Sequence, residues 1–328
     1  MMRNLFFAAD GRIALFWRLF LAFVGTLLIY LIFDLAAGFF LYLGLHINYS
    51  YLSNVYSPAY NTDLRVVSCY SVAYVLIAVV TVWFLRWFRR HVDRRSPAGL
   101  AWTGLGGHWR GILLGAVLGA AVPLLAVWIG SAWGLFNLHI AQLSWSGLVI
   151  VILFNVIQYT ATGIREETYY RGYVFQNLGE RMALWLNVVC VGVFFILGHL
   201  LNGLAYVSPS FAVGAMLAST IWICGRLLTR SLWFSIGMHA AGDSASFLIG
   251  ILLFSGLGLN TAGTSLRWLE APFLVLILLV LVGWTIWGKQ RINWNARLTE
   301  RGEPTGQTPS LPEEVAVAAP IDIHMRQK

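Results

Sequence analysis

The sequence predicts an all-α, polytopic membrane protein with a bundle of about eight transmembrane helices, and three observations point to it. Of its 328 residues, 59% are hydrophobic and only 11% are charged, and the mean hydropathy is +0.72. An ordinary soluble domain carries roughly 25% charged residues, so this chain has too little polar surface to face water on all sides. The 15 Trp and 13 Tyr residues suit the two faces of a bilayer, where amphipathic rings collect.

Apolar stretches of membrane-spanning length recur along the chain. A bilayer core of about 30 Å needs about 20 apolar residues as a helix. The predicted spans are 14–42, 65–88, 111–133, 147–177, 185–205, 210–228, 231–253 and 271–288. The first resembles a signal peptide, but its apolar run exceeds a h-region of 7–15 residues. We therefore expect an uncleaved first span.

The placement of positive charge predicts the topology. The net charge is +8, but Lys and Arg gather in alternate short loops beside the spans. That alternation predicts that both termini lie in the cytoplasm. A nucleic-acid-binding protein would instead gather its basic residues on one surface. Lipid is the expected surrounding, in the cell (cytoplasmic) membrane, and no nucleic acid is expected as a partner.

Four regions follow from these features. Residues 1–96 hold spans one and two and a basic loop, 97–253 hold spans three to seven, and 254–290 hold the last span. Residues 291–328 form a cytoplasmic tail that we expect to be disordered. From about Glu300 the tail is rich in Pro, Gly, Thr and Glu without periodicity, which predicts disorder. The three cysteines lie in apolar stretches without a CxxC pair, so neither a disulfide framework nor a zinc ribbon is indicated.

Span four carries charges that lipid does not tolerate. Charged groups at the bilayer centre cost about 2.5–3.5 kcal/mol each on insertion scales, so they usually face a cavity and mark function. Glu167 and Arg171 are four residues apart and are expected to pair on one helical face. Glu166 points to another face, where the motif offers no such cation. The plainer alternative is a helix end with solvated charges.

A polar stripe leads to Glu166 along one face of span four. It comprises Asn155, Gln158 and Thr162, at the spacing of a single helical face. This stripe predicts a wet cavity beside the carboxylate.

Two further spans carry histidines. His199 lies in span five, where a lone histidine is often a hydrogen-bonded packing residue. Span seven carries Ser235, His239 and Asp243 at successive helical turns, followed by Ser246. Small residues around His239 predict close helix packing, which is the plainer explanation of that stripe.

These three motifs resemble those of a known family. EETYYR at 166–171, FILGH at 195–199 and HAAGD at 239–243 are similar to the motifs of the CPBP (CAAX protease and bacteriocin-processing, Abi) intramembrane glutamic endopeptidases. The resemblance covers roughly residues 97–250.

The resemblance implies roles for single residues. It implies a metal-independent hydrolase without a cofactor, acting on a membrane-associated peptide or protein from a site open to the cytosol. In such an enzyme Glu166 is the general base, and His199 is its partner. His239 and Asp243 stand where the family stabilises the oxyanion. The supporting positions are those of Glu167 and Arg171.

Residue chemistry suits this assignment but raises a question at Asp243. Glu166, without a cation in the motif, is the better base, and His239 can donate a hydrogen bond to a developing oxyanion. An ionised Asp243 would repel that oxyanion. Asp243 is therefore either protonated, or accepts from His239 and fixes its tautomer; we favour the second.

Other functions remain open at this point. Glu166, His199 and His239 could hold zinc as a His₂Glu set, although no HExxH motif occurs. No GxSxG supports a serine protease, and Asp34 lacks a motif that would make it half of an aspartate pair. A proton-coupled transporter and a non-catalytic membrane scaffold (or immunity-type protein) are the alternatives outside proteolysis.

Overall fold

A computed structural model describes residues 7–8, 11–48, 50, 57–135, 138, 140–202, 208–254, 259–288 and 291–305. Within these ranges, eight helices of 15 residues or more build the bundle. They are α1 (Leu15–Phe39), α2 (Leu64–His91), α3 (Trp109–Ala132), α4 (Trp145–Glu167), α5 (Leu184–Gly198), α6 (Pro209–Thr229), α7 (Trp233–Leu253) and α8 (Leu259–Trp287). A π-helical turn, Thr168–Val174, and a short helix, Phe175–Gly179, continue α4.

The all-α, multi-pass prediction is confirmed. Seven helices in the described part of the chain are long and apolar enough to cross a membrane. Polar side chains begin several of them, as helix starts require. Ser144 accepts from the Gly147 N–H and Ser208 from the Phe211 N–H, while Asp63 caps α2.

The fifth predicted span is shorter than the sequence suggested. We expected a crossing over 185–205, but α5 has 15 residues, or about 22 Å, against a core of about 30 Å. It ends at Gly198, whose backbone lies against the Tyr170 hydroxyl with no room for a Cβ. A 3₁₀ turn, His199–Asn202, follows.

α7 lies against α3 and α4, and glycines set how closely it packs. A Cβ on Gly237 would collide with the backbone of Ile112 in α3, and one on Gly115 would collide with that of Phe234 in α7. The predicted close approach at the small residues of span seven is therefore present. It fixes the helix that carries His239.

The first part of the tail is packed rather than disordered, contrary to our expectation for residues 291–305. Leu298 is buried, and its N–H donates to the Gly179 carbonyl at 2.7 Å. The first N–H groups of α5, from Leu184 and Trp185, donate to the carbonyls of Ala296 and Trp294 at 3.0 and 3.1 Å. The tail thus pairs helix-end groups that would otherwise lack partners. Residues 306–328 lie outside the described residues.

Candidate active site

The charged motif of α4 forms the predicted ion pair. Arg171 Nη1 lies 3.0 Å from Glu167 Oε1, and both side chains are fully buried. The Arg171 guanidinium also lies over the rings of Phe195 and Trp222, 4.5 and 4.4 Å from their centroids. Because both side chains are fully buried, solvent does not weaken this ion pair.

Glu166 has a cation after all, which corrects the expectation from helical spacing. Arg165 Nη2 lies 2.5 Å from Glu166 Oε1, and its guanidinium lies over the Tyr30 ring of α1 at 4.9 Å. A long arginine side chain folds back to its neighbour, a contact that spacing rules based on i+3 and i+4 do not consider. The Glu166 side chain keeps 15% of its surface exposed, so water can reach it.

His239 joins α7 to the α4 motif. Its Nδ1 lies 2.7 Å from Glu167 Oε1 and its Nε2 lies 3.2 Å from Asp243 Oδ2. Glu166 Oε2 is 3.7 Å from the same Nε2. Both ring nitrogens face carboxylates, and both donate only when the ring is the imidazolium. The expected contact with Asp243 is therefore present, and Glu167 supplies a second one that we did not expect.

Asp243 is the most open member of the group. Its side chain is 46% exposed, against 3% for His239. The buried pair of Glu167 and Arg171 thus supports one edge of the imidazole, while the other edge, at Nε2, faces the accessible side of the site.

His199 lies next to this group rather than within it. Its Nδ1 is 2.8 Å from the Phe195 carbonyl oxygen, so Nδ1 donates to that oxygen, and in the neutral ring Nε2 is then the acceptor. The Phe195 ring centroid is 4.6 Å from that of His199 and 6.0 Å from that of His239. One aromatic ring therefore separates the two histidines, and a further ring, Phe211, lies 5.0 Å beyond His199.

The polar stripe of α4 packs against other helices. Asn155 accepts a hydrogen bond from the Ser244 hydroxyl of α7. Gln158 donates to Ser71 of α2 at 3.1 Å. These two side chains therefore serve helix packing, and the predicted wet cavity is wrong for this part of the stripe. Ser235 also bonds within the bundle, to the Trp222 carbonyl at 2.8 Å.

Trp222 is the site residue that the sequence analysis missed. Its ring stacks on His239 with centroids 4.3 Å apart and planes 9° from parallel. Its buried Nε1 has no hydrogen-bond partner among the described residues. An aromatic residue inside an apolar helix carries no sequence signal that separates it from ordinary core, so only the fold reveals it.

A metal geometry is not evident in the described part of the chain. No three His, Cys, Asp or Glu side chains there are arranged as ligands of one ion. The two nitrogens of His239 already face carboxylates.

Comparison with known families supports the motif resemblance. Residues 148–245 match the family described as Rce1-like, type II CAAX prenyl endopeptidase. This region includes Glu166, His199, His239 and Asp243, and the match confirms the similarity to CAAX proteases. No curated protein matches the chain.

Proposed function

From the similarity of residues 148–245 to the type II CAAX prenyl endopeptidases, we propose that this multi-pass membrane protein is a glutamic-type intramembrane endopeptidase. The observation that carries the proposal is the position of the His239 ring between the two adjacent carboxylates of α4. Its Nδ1 is 2.7 Å from Glu167 Oε1, and its Nε2 is 3.7 Å from Glu166 Oε2. Residues more than 70 positions apart in the sequence thereby share one site that is partly open at Glu166.

In the proposed reaction, Glu166 removes a proton from a water molecule, and the resulting hydroxide attacks the peptide carbonyl carbon. His199 accepts from this water through its Nε2 lone pair and so positions it. The carbonyl becomes a tetrahedral oxyanion. When it collapses, the C–N bond breaks, the proton passes to the leaving amine, and a carboxylate and an amine are released.

His239 is the proposed oxyanion donor. Its Nδ1 is fixed by Glu167, which is in turn fixed by Arg171, so Nε2–H is aimed before the substrate arrives. In this arrangement Asp243 holds Nε2–H in the free enzyme, and the substrate oxygen takes its place. Glu167, rather than Asp243, is then the group that orients the ring.

The proposed setting is the cytoplasmic membrane, with the site opening toward the cytosol. The alternation of basic loops supports this orientation. The proposed substrates are membrane-associated peptides or proteins, and the proposed chemistry needs no metal.

Cleavage of a peptide library by the purified protein tests the proposal. Wild type should give defined products, and Glu166→Gln should form them about 10²–10⁴-fold more slowly, because an amide cannot accept the proton. Glu303→Gln is the matched control. It makes the same chemical change at a half-exposed carboxylate that pairs with Arg230 and is not part of the candidate active site. Equal cleavage by wild type and Glu166→Gln would refute the role of Glu166, and full retention of the cellular phenotype in that variant would favour a scaffold.

Measuring turnover in the presence of a chelator distinguishes a zinc-dependent protease from a glutamic one. Protein stripped of metal and kept in strong chelator should retain its turnover. Loss of turnover, restored by added zinc, would instead assign a zinc-dependent intramembrane protease.

A further inference from the structure

One buried arginine outside the candidate active site has no acidic partner. Arg226, near the end of α6, is 2% exposed. Its Nη2 donates to the Gly99 carbonyl at 2.8 Å and to Gln176 Oε1 at 3.2 Å, and its guanidinium lies over the Phe175 ring at 4.7 Å. It forms no ion pair with any described carboxylate, and its Nε and Nη1 have no hydrogen-bond partner among the described residues.

A buried guanidinium without an acidic partner destabilises the folded protein. Taking a cation out of water costs several kcal/mol even after relaxation, and two neutral oxygen acceptors repay only part of that. Buried charges in proteins are normally paired or hydrogen-bonded on all sides. Other buried arginines of the chain also have unpartnered N–H groups, but Arg226 differs in having no described carboxylate beside it, which favours an anionic ligand.

A cavity of about 160 Å³ lies beside this guanidinium. Its charged lining consists of Arg226, Arg230, Arg301 and Glu303. Glu303 is already paired with Arg230, at 3.5 Å, so the lining keeps an excess of positive charge. This volume is enough for one phosphate group.

The tail builds one wall of this cavity. Gly302 has a positive φ of 89°, and a Cβ there would lie 2.9 Å from Gln176 Oε1 and 3.3 Å from Arg226 Nη2. The chain can therefore pass this close to the arginine only with glycine at this position. The Thr299 carbonyl accepts from Gln176 Nε2 at 2.7 Å, which ties the wall to the helix that follows the α4 motif. The cavity is thus a constructed feature of the folded chain.

We propose that the cavity holds a phosphate group, with Arg226 as its buried ligand and Arg301 as its outer one. Arginine pairs well with phosphate oxygens. The site lies at the ends of membrane-spanning helices, where basic pockets bind lipid head groups. The phosphate comes either from the head group of an anionic phospholipid or from free inorganic phosphate. The site is independent of the hydrolytic reaction.

Thermal unfolding of the full-length protein in detergent tests this site. Sodium phosphate and, separately, short-chain phosphatidylglycerol are titrated against sodium chloride at equal ionic strength. Binding to the native state raises the midpoint in a saturable way, and we expect this for wild type and for the control Arg90→Gln, whose arginine is exposed at the end of α2. Arg226→Gln should lose the rise.

Arg301→Gln keeps the test valid if Arg226→Gln does not fold. Arg301 is exposed on the tail, so its loss should leave the fold intact and shift the half-saturation point at least several-fold higher. A rise with phosphate identifies the free ion as sufficient, and a rise with phosphatidylglycerol alone identifies the lipid. No saturable rise with either ligand, or equal rises in Arg301→Gln and Arg90→Gln, would overturn the proposal.

Discussion

Two groups of charged side chains contact α4 or its continuation, one around Asp93 and one in the candidate active site, and they differ in how far they are closed to solvent. In the first, around Asp93, the carboxylate is reached by Arg18 at 3.4 Å, Arg89 at 3.9 Å and the Tyr173 hydroxyl at 3.0 Å. The side chains of its ionic members are at most 1% exposed. In the candidate active site, Glu166 and Asp243 remain partly open.

This difference separates a structural role from a chemical one. A closed ion cluster can only hold helices together, since no substrate reaches it. An open cluster with the same kinds of residues leaves a carboxylate and an imidazole edge available to water and substrate. Substitutions in the two groups should therefore change different quantities: stability in the Asp93 cluster and turnover in the candidate site.

After Glu166→Gln, the largest effect on turnover is expected for His199→Gln. Removing the group that positions the attacking water should cost about 10²-fold in rate. The fold loses the hydrogen bond to the Phe195 carbonyl and the ring contacts with Phe195 and Phe211. Initial cleavage rates and the thermal midpoint should be measured together. A parallel loss of both would place His199 among the packing residues instead.

Asp93→Ala should produce the complementary result. Removing one partner of a buried pair costs about 3–5 kcal/mol, because the remaining charges stay buried. The measurement is the free energy of unfolding in detergent, with Glu303→Gln as the control, since its half-exposed pair contributes at most about 1 kcal/mol. Equal losses of unfolding free energy in the two variants would contradict the structural role assigned to the closed cluster around Asp93.

Asp243→Asn should have a smaller effect on turnover, about tenfold. The amide oxygen of asparagine can still accept a hydrogen bond from His239 Nε2, but it lacks the full negative charge of the aspartate. It therefore holds His239 less firmly than the carboxylate does. Steady-state kinetics at fixed pH measure the change. Unchanged turnover would indicate that the residue at 243 acts as an oxyanion donor, a role open to Asn and to a protonated Asp.

Glu300→Gln should have the smallest effect, and that effect should depend on pH. The Ser96 N–H and the Arg95 guanidinium hold the pKa of the Glu300 carboxyl below its ordinary value of 4.5. A carboxyl whose pKa is lower in the folded state stabilises the protein above the unfolded pKa and loses that contribution as the pH falls. The midpoints of wild type and Glu300→Gln should differ slightly at pH 7 and converge below pH 4.5. A gap that widens on acidification would contradict this sign.

What the sequence predicted depended on regular spacing. Apolar length predicts the membrane-spanning helices, and the four-residue spacing predicts the contacts of Glu167 with Arg171 and of His239 with Asp243. The contact of Arg165 with Glu166 depends on a side-chain rotamer, which spacing does not determine.

Contacts made between distant segments could not be predicted in this way. Trp222 meets His239 only because α6 and α7 are adjacent. The docking of residues 291–305 depends on the burial of Leu298 beside Gly179. The Pro- and Gly-rich composition of the tail predicts disorder and gives no sign of that contact.

A double-mutant cycle on kcat/KM tests the central claim most directly, that Glu166 and His199 act on the same water. The four proteins are wild type, Glu166→Gln, His199→Gln and the double variant. Groups that act as a unit are not additive, so we predict that the double variant is no slower than the slower single variant. Losses that multiply would show that the two side chains act independently and would contradict a shared site.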